Sequence, residues 1–487
     1  MGEAATRRLR RLYWPLVALC AAGVALRVLV MVTYSSAVFV FYNGDSIRYA
    51  RIAAPGYHSG LFSDPYAPAG YPAFLKVLRA IWSALAFTVG VQHTLGIAIA
   101  LLLYAVVRRL GTPRGVALVP AGVVLLSGDQ LFLEHSLLSE TLWAALVTGG
   151  LYALIRGAMG GESDPRWLVA AGLILSGSAL ARQISIPLLL IAGLWVAFAV
   201  RGRVARRALS AAAILGPGLV LLGIYVGVAH LEHGVSGLGG RSGWQLYGRV
   251  AQFANCADFH PPGRTRLLCQ STPPAKRPGL VAQLYDPSLP LGRFDYQGKD
   301  DGLLRRFALD AIVNQPADYL GAVLADWATA AGLQGIRPGE GASPSVMRFS
   351  RQIPYGAPAP TVRGVAAYYQ RAYTSIRVLP LPQWGARLGR YQSIMRLHEV
   401  LVIPLLLIVL TGLLLSRGPT RAGIALVFGF ALGLYLLPPI ANAWDVRYGV
   451  LPGELLAAAA AASGWRVAVA VRGRLDRTTS VLAGETS

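Results

Sequence analysis

Charged residues are scarce in this sequence. Only 14% of its 487 residues are Asp, Glu, Lys or Arg, whereas soluble globular proteins carry about 25%. Hydrophobic residues make up 54% of the chain, and the mean hydropathy is +0.50. Because a soluble fold could not hide so much apolar surface in its own core, the composition indicates a polytopic, all-α membrane protein.

Acidic residues are especially few, with 23 Asp and Glu against 45 Lys and Arg and a formal net charge of +22. A basic excess of this kind can indicate binding to nucleic acid. Here, however, the arginines cluster at the ends of apolar runs, as in "TRRLRR" (6–11) and "RGRVARR" (201–207). That placement is typical of membrane topology, so the sequence predicts no nucleic-acid partner.

The chain has only three cysteines and no evident internal repeat. Cys20 lies inside the first apolar run, where it is expected to act as a small apolar side chain. Twelve residues separate Cys256 from Cys269, a spacing that is not typical of zinc sites, so an extracytoplasmic disulfide is expected. Several histidines lie in predicted loops without ligand spacing, which argues against a metal site: His58, His230, His233 and His260. No cofactor is predicted, and a requirement for a divalent ion stays open.

Apolar runs of spanning length recur along the chain, about ten in all. They lie at roughly 12–34, 88–107, 114–128, 139–156, 167–182, 186–201, 208–229, 398–416, 421–440 and 449–471. Lys and Arg crowd alternate short connections, whereas the short connections between those hold only Arg182 and Arg447. By the positive-inside rule, both termini are predicted to be cytoplasmic. The first run is too long for the apolar part of a signal peptide and is expected to be retained.

Two long segments are then predicted to lie on the outer side, 35–87 and 230–397. The first ends in a stretch whose Lys76 and Arg79 could share one face of an interfacial helix. The second is the large polar region of the chain. These segments predict an N-terminal transmembrane module (1–229), an extracytoplasmic loop region (230–397), and C-terminal transmembrane helices with a cytoplasmic tail (398–487).

Polar residues collect on the predicted outer side, at the ends of several spans. They lie in the segments "GDSIRY" (44–49), "FLEHSLLSETLWAAL" (132–146), "ALARQISIP" (179–187) and "NAWDVRYGVLP" (442–452). Arg27 lies inside the first span, nearer its outer end. Charged groups at such depth usually face a cavity or a partner, so these segments indicate a functional site.

Each residue also has a plainer explanation. Asp45 could cap a short helix, and Glu140 could be a first-turn acid favoured by the helix dipole. Arg182 and Arg447 could extend to lipid headgroups. Asp445 could simply pair with Arg447, and His135 could be a structural hydrogen-bonding residue. The occurrence of acids and arginines together on one side of the membrane favours the functional interpretation.

A group-transfer enzyme that works on the outer side needs a donor molecule that can cross the bilayer, because nucleotide sugars are confined to the cytoplasm. A polyprenyl-phosphate sugar meets this need, since its lipid tail lies among the spans and its phosphate at the interface. Arginines suit the phosphate through charge-assisted hydrogen bonds. A carboxylate suits the acceptor hydroxyl, from which it would remove a proton as general base.

The chain resembles bacterial members of the glycosyltransferase-C superfamily, in the branch of the protein O-mannosyltransferases and the lipid A aminoarabinose transferases. The similar segments follow in order over about the first 200 and last 90 residues: "NGDSIRYA", "APAGYPAFLKVL", "VQHTLGIAIALLLYAVVRRLG", "LSETLWAALVTGGLYALIRG", "GLILSGSALARQISIPLLL" and "DVRYGVLP". Protein mannosyltransferases carry an Asp-Glu pair where this chain has Asp45 followed by Ser46. The acceptor therefore stays open among lipids, glycans and proteins.

The resemblance implies that Asp45 is the catalytic acid of the first outer loop and Glu140 the second acidic position. It also implies that Arg182 and Arg447 lie at the donor phosphate. We expect Tyr448 and Arg27 at the same phosphate. Other polar residues of these segments are expected to bind substrate, namely Arg48, Tyr49, His135 and Asp445.

Three rival functions remain open. A transporter would need polar residues near mid-membrane or broken helices in paired positions. A polysaccharide polymerase or ligase would use a lipid-diphosphate donor on the same outer side. A non-catalytic membrane scaffold is the third.

Overall fold

The computed structural model describes residues 3–34, 45–55, 60–62, 67–159, 163–234, 237–295, 299–335, 347–349, 373–374 and 383–484. Within these ranges the fold is helical and has no named β-strand. The N-terminal helices are α1 (Glu3–Thr33), α2 (Asp45–Ala53), α3 (Gly70–Ile81), α4 (Leu85–Arg109), α5 (Arg114–Leu126), α6 (Gly128–His135), α7 (Glu140–Ala158), α8 (Pro165–Ala181), α9 (Ile186–Ala199) and α10 (Val204–His233).

The rest of the described chain is also helical. It contains α11 (Ser242–Ala251), α12 (Cys256–Phe259), α13 (Leu280–Tyr285), α14 (Asp301–Asn314), α15 (Pro316–Ala330), α16 (Trp384–Ile394), α17 (Val402–Leu415), α18 (Gly418–Ala441) and α19 (Val450–Gly484). A short 3₁₀ turn, Val446–Gly449, precedes α19 and carries part of the candidate site.

Seven helices of the described chain are long and apolar enough to cross a membrane, or up to eight if the bent pair α5–α6 counts as one span. Two shorter apolar segments, Pro165–Ala181 and Gln183–Ala199, lie beside them. Each of the predicted apolar runs coincides with one of these helices. The chain is therefore a multi-pass, all-helical membrane protein, while the count of about ten spans stays a prediction.

The membrane helices share one continuous apolar core, to which α4, α5, α7, α8, α18 and α19 contribute buried side chains. Small residues allow some helices to approach closely. At Gly172 of α8, an added Cβ would lie 2.1 Å from the carbonyl oxygen of Ile214 in α10. A larger residue at position 172 would push these two helices apart.

Residues 237–335, here called the central helical region, have a small core of their own around Trp244, Tyr247 and Phe307. Cys256 and Cys269 form a disulfide in this region, as their spacing predicts. The region is tied to the C-terminal helices through Asp326 of α15. Its carboxylate pairs with Arg249 at 2.9 Å and accepts a 3.0 Å hydrogen bond from the backbone N–H of Trp444. This contact fixes the backbone just before the 3₁₀ turn.

The segment predicted as the first outer loop contains two helices, α2 and α3. Helix α3 has Lys76 and Arg79, and it buries an apolar face that includes Tyr71, Leu75 and Leu78. It is thus amphipathic, while its location in the membrane interface stays a prediction. Gly70 lies so close to the end of α8 that an added Cβ would be 2.4 Å from the carbonyl oxygen of Leu180. The loop therefore packs against the bundle near Arg182.

Candidate active site

Asp45 is the first residue of α2 and contacts two arginines. Its Oδ1 lies 3.2 Å from Nη2 of Arg48, one turn along the same helix. Its Oδ2 accepts a 2.8 Å hydrogen bond from Nη1 of Arg447, on the 3₁₀ turn before α19. The Asp45 side chain is 30% exposed, compared with 12% for Arg447. Asp45 is therefore open to an incoming molecule although it is already paired.

Arg447 connects three acidic side chains. Besides Asp45, its Nε lies 3.2 Å from Oδ2 of Asp445, and its Nη1 lies 3.4 Å from Oε1 of Glu140. Asp445 also accepts a 3.1 Å hydrogen bond from the backbone N–H of Arg447 and so caps the 3₁₀ turn. The pairing of Asp445 with Arg447 thus exists, and it also directs the guanidinium toward Asp45.

Glu140 and Arg182 form the deeper side of the cluster. Glu140 is the first residue of α7, as predicted, and its side chain is only 3% exposed. Arg182 follows the last residue of α8, and its Nη1 lies 2.5 Å from Oε1 of Glu140. The same nitrogen donates to Oγ of Ser139 at 3.4 Å. Glu140 therefore holds both Arg182 and Arg447, and the described contacts do not join it to Asp45.

Aromatic rings hold the arginines in place. The ring of Tyr448 lies 5.2 Å from Cζ of Arg182 and 5.3 Å from Cζ of Arg447, so it contacts both guanidinium groups. Trp143 approaches Arg182 at 5.4 Å. Tyr49 packs its ring edge-on against Tyr71 at 4.8 Å. Such cation–π and aromatic contacts restrict side-chain rotation and preorganise the cluster.

The charges in this cluster balance, and each arginine has an acidic partner. Burial alone would raise the pKa of Asp45, but the charges of Arg48 and Arg447, with the hydrogen bond from Arg447, outweigh it and lower the pKa to about 2. Asp45 is thus ionised at neutral pH. A phosphate that drew Arg447 away would remove part of this effect and make Asp45 a stronger base.

The residues joined by these contacts are here called the Asp45 cluster. They are Asp45, Arg48, Tyr49, Glu140, Arg182, Asp445, Arg447 and Tyr448.

The structure brings most of the predicted site residues together in this cluster but places Arg27 and His135 elsewhere. Nη2 of Arg27 lies 2.7 Å from Oε1 of Glu134, and the other carboxylate oxygen of Glu134 lies 2.8 Å from Nδ1 of His93. His93 in turn contacts Nδ1 of His135 at 3.2 Å. These side chains are all buried. No described contact links Arg27 or His135 to Arg182 or Arg447. The predicted roles of Arg27 at the donor phosphate and of His135 in substrate binding stay predictions.

Tyr285 was not among the predicted site residues. It is the last residue of α13 in the central helical region, and it lies within electrostatic range of Asp45, Arg48 and Arg447. Its side chain is 61% exposed. The end of α13 in the central helical region therefore lies near the Asp45 cluster. No motif in the sequence around Tyr285 predicts that it is a site residue.

Among the described residues, no group of three or more His, Cys, Asp or Glu side chains is arranged to hold a metal ion. No protein-family model matches the sequence, and no curated protein matches it at a significant level. The arrangement of the Asp45 cluster is therefore the basis for assigning a function.

Proposed function

We propose that this protein is a membrane glycosyltransferase. It would move a monosaccharide from a polyprenyl-phosphate donor to a hydroxyl of a lipid, glycan or protein acceptor on the extracytoplasmic face. One observation carries this proposal: an accessible carboxylate, Asp45, lies 2.8 Å from an arginine that is itself held among further acids and a second arginine, beside a bundle of apolar helices. The proposed general base, Asp45, is thus adjacent to a proposed phosphate-binding residue, Arg447.

In this proposal Arg447 and Arg182 bind the donor phosphate. Both contact Oε1 of Glu140, and both lie against the Tyr448 ring, so their guanidinium groups are close together. Guanidinium groups bind phosphate oxygens through paired N–H donors. The apolar helices around them provide a path for the lipid tail. As the sugar departs, the fixed cations stabilise the charge that grows on the leaving phosphate.

Asp45 acts as the general base. It accepts the proton of the acceptor hydroxyl as that oxygen forms a bond to the anomeric carbon. The bond between the anomeric carbon and the phosphate oxygen breaks, and the phosphate leaves with the electron pair as a polyprenyl phosphate. The reaction passes through an oxocarbenium-like state. The 30% exposure of Asp45 leaves room for the acceptor to reach it.

The proposal also fixes the orientation of the chain. With both termini in the cytoplasm of a bacterium, the Asp45 cluster faces outward, where lipid-linked sugars are the available donors. The excess of Lys and Arg in alternate short connections supports this orientation.

A transporter is the second candidate, because one observation favours it. The buried set of Arg27, Glu134, His93 and His135 lies inside helices of the apolar bundle. Buried acids and histidines in membrane helices often serve as proton relays. A transporter would move a solute across sealed vesicles without forming any new covalent bond, which separates it from the transferase.

The proposed activity is tested with the purified protein in liposomes, supplied with radiolabelled polyprenyl-phosphate sugars and an extract of the host membranes as acceptor. We expect label to move from the donor into an acid-stable product. A parallel reaction with a diphosphate-linked oligosaccharide should give none. Transfer from the diphosphate donor alone would identify a polymerase or ligase, and uptake of solute without transfer would identify a transporter.

A further inference from the structure

A second cavity lies on the other side of the 3₁₀ turn that carries Arg447. Val446 and Gly449 of this turn line it, whereas Arg447 and Tyr448 of the same turn belong to the Asp45 cluster. The cavity lies between the bend of α5 and α6 and the first turns of α17 and α19. The turn thus contributes residues both to this cavity and to the Asp45 cluster.

The bend that opens this cavity has a local cause. Helix α5 ends at Leu126, and the extended backbone of Ser127 separates it from α6. The Ser127 hydroxyl accepts a 3.2 Å hydrogen bond from the backbone N–H of Gln130 and so caps the start of α6. The two helices meet at an angle of 49°. The bend directs Asp129, the second residue of α6, toward the cavity.

Glu454 is the residue that gives this cavity a chemical character. It lies in the second turn of α19, is 2% exposed and lines the cavity. Neither of its carboxylate oxygens has a hydrogen-bond partner. A buried carboxyl group without a partner costs free energy, and a cationic ligand would offset that cost.

The other charges in the wall do not neutralise Glu454. Arg396 also lines the cavity, but it is shared between Asp129, at 3.3 Å, and Glu399. One guanidinium therefore faces two carboxylates before Glu454 is counted. Glu454 also lies in the field of Arg27 and Glu134, but these two pair with each other at 2.7 Å and contribute little net charge. The wall of the cavity thus holds three carboxyl groups, those of Asp129, Glu399 and Glu454, and one guanidinium.

Aromatic rings complete the lining. Tyr435 and Trp444 both line the cavity, and their rings are stacked on each other with centroids 5.8 Å apart. The faces of aromatic rings attract organic cations, and ammonium groups are often bound by rings together with a carboxylate. A hydrated metal ion would gain little from the rings. The combination of an unpaired carboxylate and ring faces therefore favours an alkylammonium group.

We propose that this cavity binds the ammonium group of an organic cation, with Glu454 as its ionic partner and Tyr435 and Trp444 as its aromatic walls. The side chain of Glu399 is 29% exposed and lies at the more open side of the cavity, where the cation would enter. Because Val446 and Gly449 line this cavity, a bound cation would contact the turn that positions Arg447. The proposal does not depend on glycosyl transfer and is tested by binding alone.

The test uses the purified full-length protein and ethylammonium chloride as the probe, with sodium chloride at equal ionic strength as the reference. We expect ethylammonium to raise the melting temperature in a saturable way and sodium to leave it unchanged. Glu454→Gln should weaken ethylammonium binding by about 10- to 100-fold, the loss expected for a hydrogen bond to a charged group. This variant should fold, because glutamine has the same shape and no contact is lost.

Glu232→Gln serves as the matched control, since Glu232 is exposed near the end of α10, and it should bind ethylammonium as the wild type does. Glu399→Gln, at the open side, should weaken binding less than Glu454→Gln and provides a second measure of the site. The proposal would be overturned if ethylammonium gave no saturable effect, if sodium acted equally well, or if Glu454→Gln bound as tightly as the wild type.

Discussion

Nη1 of Arg447 lies 2.8 Å from Oδ2 of Asp45, although 402 positions separate the two residues in the chain. The contact joins the helix after the first span to the turn before the last one. It places the proposed base against a proposed phosphate ligand. In the proposed mechanism, Asp45 and Arg447 neutralise each other before the donor binds, and the donor phosphate then competes for the arginine and frees the carboxylate.

The role of Arg447 is tested by removing its planar guanidinium. Arg447→Lys and Arg447→Ala should both weaken donor binding by roughly one to two decades, because a charge-assisted hydrogen bond contributes about 1.5–3 kcal/mol. Lysine should not restore binding, since it has no fork of parallel donors. The measurement is the Kd for a polyprenyl-phosphate sugar with protein that is verified as folded.

Arg264→Lys is the matched control, because Arg264 pairs with Asp300 in the central helical region and is 52% exposed. It should bind the donor normally. Unchanged donor affinity in Arg447→Ala would show that this arginine merely extends to lipid headgroups.

Glu140 is expected to be a positioning residue. It contacts Arg182 at 2.5 Å and Arg447 at 3.4 Å, so Glu140→Gln should weaken donor binding and leave the single-turnover rate of bound donor within a few-fold of wild type. Stability should fall by about 3 kcal/mol, the low end for a broken buried pair, because Arg182 remains 18% exposed. A 100-fold loss of the single-turnover rate with normal donor binding would instead identify Glu140 as the base.

The depressed pKa of Asp45 predicts a loss of stability in acid. Its ionised form is favoured by folding, since the pKa falls from 3.8 to about 2. The corresponding stabilisation, about 2 kcal/mol, is present above pH 4 and disappears as the pH falls toward 2. Thermal unfolding of the donor-free protein should therefore show a smaller loss of stability below pH 4 in Asp45→Asn than in the wild type. Equal acid sensitivity of the two proteins would contradict the ion pairs drawn here.

The disulfide between Cys256 and Cys269 should stabilise the central helical region. Replacing both cysteines by alanine should lower its free energy of unfolding by about 3 kcal/mol, because the unfolded chain gains freedom. Cys20→Ala is the control, since Cys20 is a free thiol. Peptide mapping without reductant should show the two residues linked, and two free thiols in the wild type would contradict the prediction.

Much of the fold follows from the sequence, because apolar runs of spanning length have few alternatives in a membrane. The starts of α2 at Asp45 and α7 at Glu140 coincide with acids that favour a helix N-terminus. The contact of Asp45 with Arg447 agrees with the sequence, which places both residues on the same predicted side of the membrane. The helix starts follow from a local rule, and the side of the membrane on which these residues are placed follows from a topological one.

Contacts that depend on helix rotation were not predictable. The depth of Arg27 in α1 could be read from the sequence, but its partner Glu134 depends on how α1 faces α6. The contact of His93 with Glu134 likewise depends on helix packing, and no sequence pattern singles out His93. The lack of a hydrogen-bond partner for the Glu454 carboxyl group also depends on how the helices pack around it, including the bend at Ser127. Side-chain depth is a property of one span, whereas pairing is a property of the whole bundle.

The central claim is that Asp45 removes the proton of the acceptor hydroxyl. Asp45→Asn keeps the size of the side chain and serves equally well at a helix N-terminus, but it cannot accept that proton. The most direct measurement is the single-turnover rate of sugar transfer from bound donor, together with the donor Kd, in this variant and in Asp258→Asn. The latter changes an exposed acid of α12 and should behave as the wild type.

We expect Asp45→Asn to reduce the transfer rate by about 10²–10⁴-fold, the usual contribution of general-base catalysis, while donor binding persists. A transfer rate within a few-fold of the wild type would contradict the account and leave Asp45 as a helix-terminal acid that only pairs with Arg447.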